Sequence, residues 1–468
     1  VRWLEQRPGI DTLGESCLLQ RARGKRLPDS VVFGMPRSAL IAAALASLLV
    51  APATAQTLPT SVWPMYQYAA DHEATFRSPA WAVHWAHRLG GRVNGGLSIV
   101  GTTLYVESFD KRLTALDAQS GRELWEAALP NIAMNTPIVA DERVFVGTGD
   151  SDVLSDETDR YVMGRPEGDS VIAFDATRGT QLWRFDTVGE DMPTPVYVLD
   201  GAHRELIFSN GDDAVRALDA ASGRVLWQAP MIGAATMSSL AAYDGKVYGL
   251  SLLGFHYVMA SYHNPNKLRY QRRAWAIRPD GQYVWQTPYG NADCSPTVAD
   301  GTVFVEDDER RALSVDDRLG YSEIFALDAA TGAVRWKYTD AVGPWSPDGS
   351  KETSIAGLYA RGRFFESLPF TRRLVAFEGR SGHIAWSFPT HAPVKMSALE
   401  RDGKLYFGDT AGWLYVVDAQ NGRQIQATRF PQIFTASPPV IVGATLFVAE
   451  DRTVLALSIA DDGTVSGP

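Results

Sequence analysis

The stretch Ala115-Leu-Asp-Ala-Gln-Ser-Gly-Arg-Glu-Leu-Trp125 decides how the rest of the chain is read. It joins two short apolar segments through an Asp-x-x-x-Gly step. That step is turn chemistry, because Asp accepts from nearby backbone N–H groups and Gly supplies a positive φ. The same phrase returns as AFDATRGTQLW ending at Trp183, ALDAASGRVLW at Trp227 and ALDAATGAVRW at Trp336. AFEGRSGHIAW at Trp386 is a looser copy, AIRPDGQYVW at Trp285 is one residue shorter, and VVDAQNGRQIQ ends on Gln426 where Trp is expected. Ahead of each copy lies an extended apolar strand following a turn, as in Ser295-Pro-Thr-Val-Ala-Asp-Gly-Thr-Val-Phe-Val305.

Successive phrase ends fall 40 to 58 residues apart along the chain. Self-similarity on a period of roughly 40–50 residues, built from β-branched strands and Asp/Gly turns, predicts an all-β propeller of four-stranded antiparallel blades. The Asp-x-x-x-Gly step is then the turn between third and fourth strands. The Trp that follows buries its ring between adjacent blades, where a large flat side chain removes much apolar area. The final unit runs from Ala436-Ser-Pro-Pro-Val440 to Leu455-Ala-Leu-Ser458 and has no Trp strand of its own. Such a strand stands at the front instead, in Pro79-Ala-Trp-Ala-Val-His-Trp85-Ala-His-Arg-Leu89. An open ring leaves an unpaired edge. The expectation is therefore eight blades, closed by the N-terminal strand completing the last one.

The 468 residues carry 44 Lys+Arg against 54 Asp+Glu, with 45% hydrophobic residues and two cysteines. This composition excludes a disordered chain and a disulfide-stapled scaffold. The acidic balance excludes a basic nucleic-acid-binding face. Met35-Pro-Arg37, the apolar run Ala39–Val50 and Ala53-Thr-Ala55 ahead of Gln56 have the pattern of a secretory signal, too short to span a membrane. The expected layout is an over-extended start at 1–34, a signal at 35–55 cleaved after Ala55, a lead-in at 56–78 and the propeller at 79–468. The product is periplasmic or secreted. No cysteine at the end of the apolar run offers a lipid anchor, and removal of the leader leaves Cys294 alone, so no intrachain disulfide forms.

The A-x-D-x-x-[TS]-G-x-x-x-W phrase resembles the pyrroloquinoline-quinone-type (PQQ) propeller repeat. That repeat occurs in quinoprotein alcohol dehydrogenases, in the barrel-assembly propeller lipoprotein of the bacterial outer membrane and in a periplasmic tetrathionate hydrolase. The resemblance covers essentially all of residues 79–468 and speaks to fold more than to function. Propellers bind ligands at the channel mouth, where the loops leading into each innermost strand converge. Alignment of the copies places Asn135, Asp191, Asp293, Lys351, Glu352 and Lys395 there. Converging charges in a sheltered funnel mark a candidate site.

Val146-Gly-Thr-Gly-Asp150, the AFDATRG phrase and Gly189-Glu-Asp191 together resemble a segment of quinoprotein alcohol dehydrogenases. The resemblance implies Asp150 as a calcium ligand in place of an Asn, and Asp191 as the base that takes the alcohol proton. It departs where the family has Trp before the catalytic Asp and this chain has Glu190. The adjacent-cysteine disulfide of many relatives and a haem-attachment motif are also missing.

Three readings stand side by side. The first is a quinoprotein-type oxidoreductase holding PQQ and calcium, with Asn135, Lys351, Glu352 and Lys395 on the cofactor, Asp150 on the metal, Asp191 as base and an electron acceptor still to be named. The second is a cofactor-free enzyme in which Asp191 or Asp293 is the acid/base and Lys351 and Lys395 neutralise an anionic small-molecule substrate. The third is a non-catalytic scaffold that binds a protein partner.

Overall fold

The computed structural model describes residues 56–57, 59, 62–78, 81, 83–149, 169–187, 193–201, 203–211, 214–231, 235, 238–253, 271–289, 294–310, 319–344 and 356–467, with backbone alone at 56, 252–253, 271–272 and 308–310. These lie in the compact unit Val50–Pro468. Among the described residues there is no helix, and hence none long and apolar enough to cross a membrane. The unit is an eight-bladed β-propeller. Blade 1 shows the plan, with antiparallel strands Ser98–Val100, Thr103–Ser108, Arg112–Asp117 and Glu123–Ala128. The innermost strands of the next six blades are Ile138–Ala140, Val196–Asp200, Ala241–Tyr243, Thr297–Ala299, Leu358–Ala360 and Leu399–Arg401. Each heads its own antiparallel sheet.

The repeated phrase works as an interlock between blades. Asp117 in blade 1 accepts from the Ser120 N–H at 2.9 Å and the Ser120 hydroxyl at 2.7 Å, and Gly121 follows at φ 70°. These hydrogen bonds hold the Asp117 carboxyl below its ordinary range, and Asp219 and Asp328 repeat the pattern. A β-carbon on Gly121 would lie 2.7 Å from the ring of Trp85. In the same way Trp125 covers Gly179, Trp183 covers Gly223, Trp227 covers Gly281, Trp285 covers Gly332, Trp336 covers Gly382 and Trp386 covers Gly422. Each Trp therefore lies on the turn glycine of the following blade, so the Gly is required twice, for its positive φ and for the missing side chain. The indole N–H completes the lock. Trp85, Trp125, Trp183, Trp285, Trp336 and Trp386 each donate to a backbone carbonyl of the next turn, at 2.9–3.1 Å. Trp227 faces the shortened phrase of the following blade and turns to Glu205 instead, at 3.4 Å.

Ring closure follows the sequence expectation. Blade 8 comprises Val440–Val442, Thr445–Glu450 and Thr453–Ile459, and Trp85–Arg88 adds the fourth strand in the register Trp85↔Ala456 to Arg88↔Thr453. The missing Trp of blade 7 also finds its reason here. The Gln426 amide accepts from the Val465 N–H at 2.6 Å and donates to the Val465 carbonyl at 2.7 Å. It clamps the short strand Val465–Ser466, which pairs with Thr453–Ile459.

The lead-in is a structural element in its own right. Gln56–Thr57 pairs in parallel with Thr75–Arg77, which pairs in parallel with the innermost strand of blade 8. Between them the chain circles the inside of the ring in blade order. Gly101 of blade 1 donates to the Pro59 carbonyl at 2.8 Å, and Trp63 and Val139 of blade 2 exchange both backbone hydrogen bonds. Tyr197 of blade 3 donates to Pro64, and Met65 packs into the apolar cluster around Leu240 and Val247 of blade 4. Val298 of blade 5, Tyr359 of blade 6 and Ile441 of blade 8 donate to Ala70, Asp71 and Ala74. The Thr75 hydroxyl reaches the Glu400 carbonyl of blade 7 at 2.9 Å. The open inner edges of the short innermost strands would otherwise leave backbone groups without partners. Trp63, Tyr68 and Phe76 pack edge-to-face or tilted against one another within this belt, with ring centroids 5.0–5.6 Å apart.

Candidate functional site

The belt reaches the turns between first and second strands at Gly101, Asp300 and Gly443, and on the other side it touches Gly357 and Ser397 ahead of first strands. The end where loops lead into the first strands is the one on which the sequence places the candidate residues. Asp150, Asp191, Asp293, Lys351 and Glu352 lie outside the described residues. Asn135 and Lys395 are described, and both stand in loops leading into first strands, of blades 2 and 7.

Two rings of side chains organise this end. The lower ring is a relay of hydroxyls two residues before the first strands of blades 2, 3, 4 and 5. The Thr136 N–H donates to Thr194 Oγ1 at 2.8 Å, the Thr194 N–H to Ser239 Oγ at 3.1 Å, and the Ser239 N–H to Ser295 Oγ at 3.0 Å. Blade 1 carries Gly96 at this position, where a β-carbon would lie 2.0 Å from Thr136 Oγ1. The relay ties neighbouring blades together through short polar side chains, which fits the Ser/Thr-Pro signature ahead of the strands.

The upper ring holds the residue just before each hydroxyl, paired with the residue twelve positions later on the second strand. Asn135 Nδ2 donates to the Gly147 carbonyl at 2.7 Å, Cys294 Sγ lies 3.7 Å from Glu306 Oε2, and Met396 Sδ accepts from the Gly408 N–H at 3.2 Å. In blade 1 the pair is Gly95 and Glu107. The Glu107 side chain has 0% exposure. Burial raises its carboxyl well above the ordinary glutamate value, partly offset by a hydrogen bond from the Asn135 backbone N–H. Glu306 is the buried carboxyl at the corresponding second-strand position of blade 5, whereas in blade 6 that position is Ser367 and the buried Glu366 stands one residue earlier, on the other face of the sheet. Glu366 lies against Gly357, and the Tyr66 hydroxyl of the belt reaches Ser397 at 3.5 Å. The sequence analysis missed Glu107, Glu306 and Glu366. The signal was a charged residue ending an otherwise apolar second strand, as in Thr103-Leu-Tyr-Val-Glu107.

The described residues of this end do not themselves fit PQQ with a calcium ion. The Asn135 amide is turned onto Gly147, the ring around it is made of small hydroxyl and buried carboxyl side chains without a stacking aromatic, and no group of three His, Cys, Asp or Glu side chains among the described residues is arranged for a metal.

The belt adds titrating groups of its own. His72 is buried, with Nδ1 2.9 Å from the Gly357 carbonyl, which makes that nitrogen the protonated one. Burial pushes its pKa down to about 4. Burial pushes Glu73 up to about 8, reinforced by Glu400 and Asp71 and opposed by Arg361. The two groups act in opposite directions. Below its folded pKa Glu73 binds a proton that the unfolded chain releases above about 4.5, so its contribution is full below 4.5 and disappears as pH rises to 8. His72 disfavours the folded state between pH 6.5 and 4, so its contribution is lost as pH falls through that window. The expected result is a melting midpoint that declines between pH 6.5 and 8, with the decline reduced in Glu73→Gln. An unchanged slope in that variant, measured by thermal scans across the window, contradicts the assignment.

Comparison with known proteins agrees with this architecture. The family model described as outer membrane protein assembly factor BamB matches residues 74–338 and 371–466. The tetrathionate hydrolase of Acidithiobacillus ferrooxidans is 24% identical over 379 residues, 75% of this chain and 70% of that protein. The polyvinylalcohol dehydrogenase of a Sphingopyxis species is 26% identical over 272 residues, 55% of this chain and 35% of that protein, so the chain spans about a third of that longer relative. The quinohemoprotein alcohol dehydrogenase of Comamonas testosteroni superposes with a TM-score of 0.60 at 13% identity, covering 87% of this chain and 82% of that one, a likeness of fold. The family match takes in most of the propeller, and the protein belongs to the PQQ_2 repeat family, the one described as outer membrane protein assembly factor BamB.

Proposed function

We propose that the protein is an exported propeller enzyme that performs carboxyl acid–base chemistry on a small-molecule substrate at the loop end of its channel, in the manner of a tetrathionate hydrolase. The observation that carries this reading is Glu107, a fully buried carboxyl whose proton affinity burial raises, near the end of the blade 1 second strand that faces the loops leading into the first strands. A carboxyl held neutral is a hydrogen-bond and proton donor toward an oxyanion, where an ionised one would repel it. Asp191 and Asp293 are the exchanging acid and base, and Lys351 and Lys395 neutralise an anionic substrate. The relative sharing 75% of this chain supports that substrate class. Export to the periplasm rests on the leader at 35–55 and on the name of the matching family.

A second reading, a quinone-dependent oxidoreductase with Asp191 as base and Asp150 on calcium, is favoured by the polyvinylalcohol dehydrogenase match. Two measurements separate them. Tetrathionate turnover by the purified chain, abolished in Asp191→Asn or Asp293→Asn, is expected from the first. Addition of PQQ with Ca²⁺ raises the melting midpoint only under the second, since a ligand of the native state stabilises it by mass action. Turnover untouched by both substitutions removes the first reading, and a flat midpoint at saturating PQQ removes the second.

A further inference from the structure

A cavity of about 380 Å³ opens on the belt side of the ring, away from the channel mouth, between the belt and blades 4, 5 and 6. Met65, Tyr68 and Asp71 line it from the belt, and Tyr243, Asp300 and Tyr359 from the blades. The repeat architecture supplies an internal control for what belongs in it. Tyr359 is the second residue of its first strand; its hydroxyl donates to Asp300 Oδ2 at 2.6 Å and its N–H to the belt carbonyl of Asp71. Three blades earlier, Tyr197 occupies the same position; its hydroxyl donates to Asp141 Oδ2 at 2.7 Å and its N–H to the belt carbonyl of Pro64. Asp141 and Asp300 are matched too, both at positive φ on the turn after a first strand.

The two settings differ in their charge partners. Asp141 is neutralised by the Arg204 guanidinium, with Nε 2.8 Å from the same carboxylate oxygen that takes the tyrosine proton. Among the described residues Asp300 has no ion pair. The arginines on the hairpin after Tyr359 turn toward other partners: Arg361 pairs with Glu400 at 2.8 Å and Arg363 with Glu378 at 3.0 Å. Lys246, beside Tyr243, is bound to Asp244, and Arg380 is exposed and acts on Tyr359 only through its field. On the belt, proline has given way to Asp71, a second carboxylate facing the cavity. One site thus holds a built-in guanidinium, while its counterpart holds an additional carboxylate, three tyrosine rings and a void.

We propose that this cavity binds an organic cation, the guanidinium or primary ammonium group of a ligand, in the place that Arg204 fills in the sister site. Asp300 and Asp71 supply charge-assisted hydrogen bonds, tyrosine faces stack on the cation, and Met65 covers an aliphatic stem. The site is independent of the channel chemistry, and no catalytic residue takes part.

The probe is agmatine, a guanidinium on a short amine-bearing chain, titrated calorimetrically into the full chain, with N-butylurea as the neutral control. Saturable binding is expected for agmatine and none for the urea, with affinity falling as salt is raised. Asp300→Asn is expected to weaken binding about ten-fold or more, the worth of one charge-assisted hydrogen bond. Ala69→Arg, which places a guanidinium at the cavity wall, is expected to abolish it and keeps the test valid should the Asp300 variant be unstable. A capped Gly-Arg-Gly peptide run in parallel separates the sources: tighter binding of the peptide points to an arginine of a partner protein, and tighter binding of agmatine to a free small cation. Absence of saturable heat at millimolar agmatine in low salt, or affinity unchanged in both variants, overturns the proposal.

Discussion

Replacing Trp85 by alanine is expected to cost about 3–5 kcal/mol of unfolding free energy, the usual range for a buried Trp→Ala change. Three contributions are lost together. The ring no longer covers Gly121, packing against Phe447 at 5.8 Å disappears, and the Ala118 carbonyl loses its donor at 3.1 Å. The position also matters. Trp85–Arg88 is the strand through which the N-terminal part of the chain completes blade 8, so its weakening opens the ring at its seam. By contrast, Gln426→Ala removes two hydrogen bonds at the edge of the same seam and is expected to cost about 1–2 kcal/mol. Equilibrium denaturation of both variants checks the order, and a Trp85→Ala protein within 1 kcal/mol of the unmodified chain would mean that the seam does not hold the ring.

Trp63→Ala is expected to have an effect of similar size, again about 3–5 kcal/mol, but of different extent. Trp63 has 0% exposure and anchors the belt between Tyr68, Phe76 and the innermost strand of blade 2. Its indole N–H has no partner, so Trp63→Phe removes an unsatisfied donor along with part of the ring and is expected to lose far less. Around Trp63 the belt touches blades 1 and 3 through single backbone hydrogen bonds and blade 2 through a reciprocal pair, so its release there is a local opening that leaves the sheets intact. Hydrogen exchange is expected to quicken at the amides of Gly101, Val139 and Tyr197 in Trp63→Ala, while the strand interiors stay protected. Exchange at those three amides matching the unmodified chain would show that the belt is held elsewhere.

The propeller was legible because its determinants are local and repeated. Asp117 and Gly121 sit four residues apart, the turn they make is settled within the phrase, and seven copies at a similar period leave one arrangement able to bury all the Trp rings. The exchange of termini was legible for the same reason, since one unit lacked a fourth strand and a spare one stood at the front. The belt was not legible. Residues 56–78 have no repeat, and the partners of Trp63, Ala70 and Ala74 lie at Val139, Val298 and Ile441, separations that no local pattern encodes. Its density of aromatic residues, with Trp63, Tyr66, Tyr68 and Phe76 in one short stretch, was the available hint.

The candidate site divides in the same way. Alignment of the copies placed Asn135 and Lys395 in the loops leading to the first strands, where the structure has them. It could not see that the Asn135 amide closes on Gly147, or that Glu107 is buried beside it, because both depend on which segments pack against which. By itself the sequence determined the blade, its number and the way the ring closes, since hydrophobic period and turn chemistry act over a few residues. Only the tertiary structure decided that a belt lines the inner edges of the first strands, that burial raises the proton affinity of Glu107 and that, among the described residues, Asp300 lacks the guanidinium given to Asp141. Those are matters of burial and of charge partners, and burial is created only when distant segments meet.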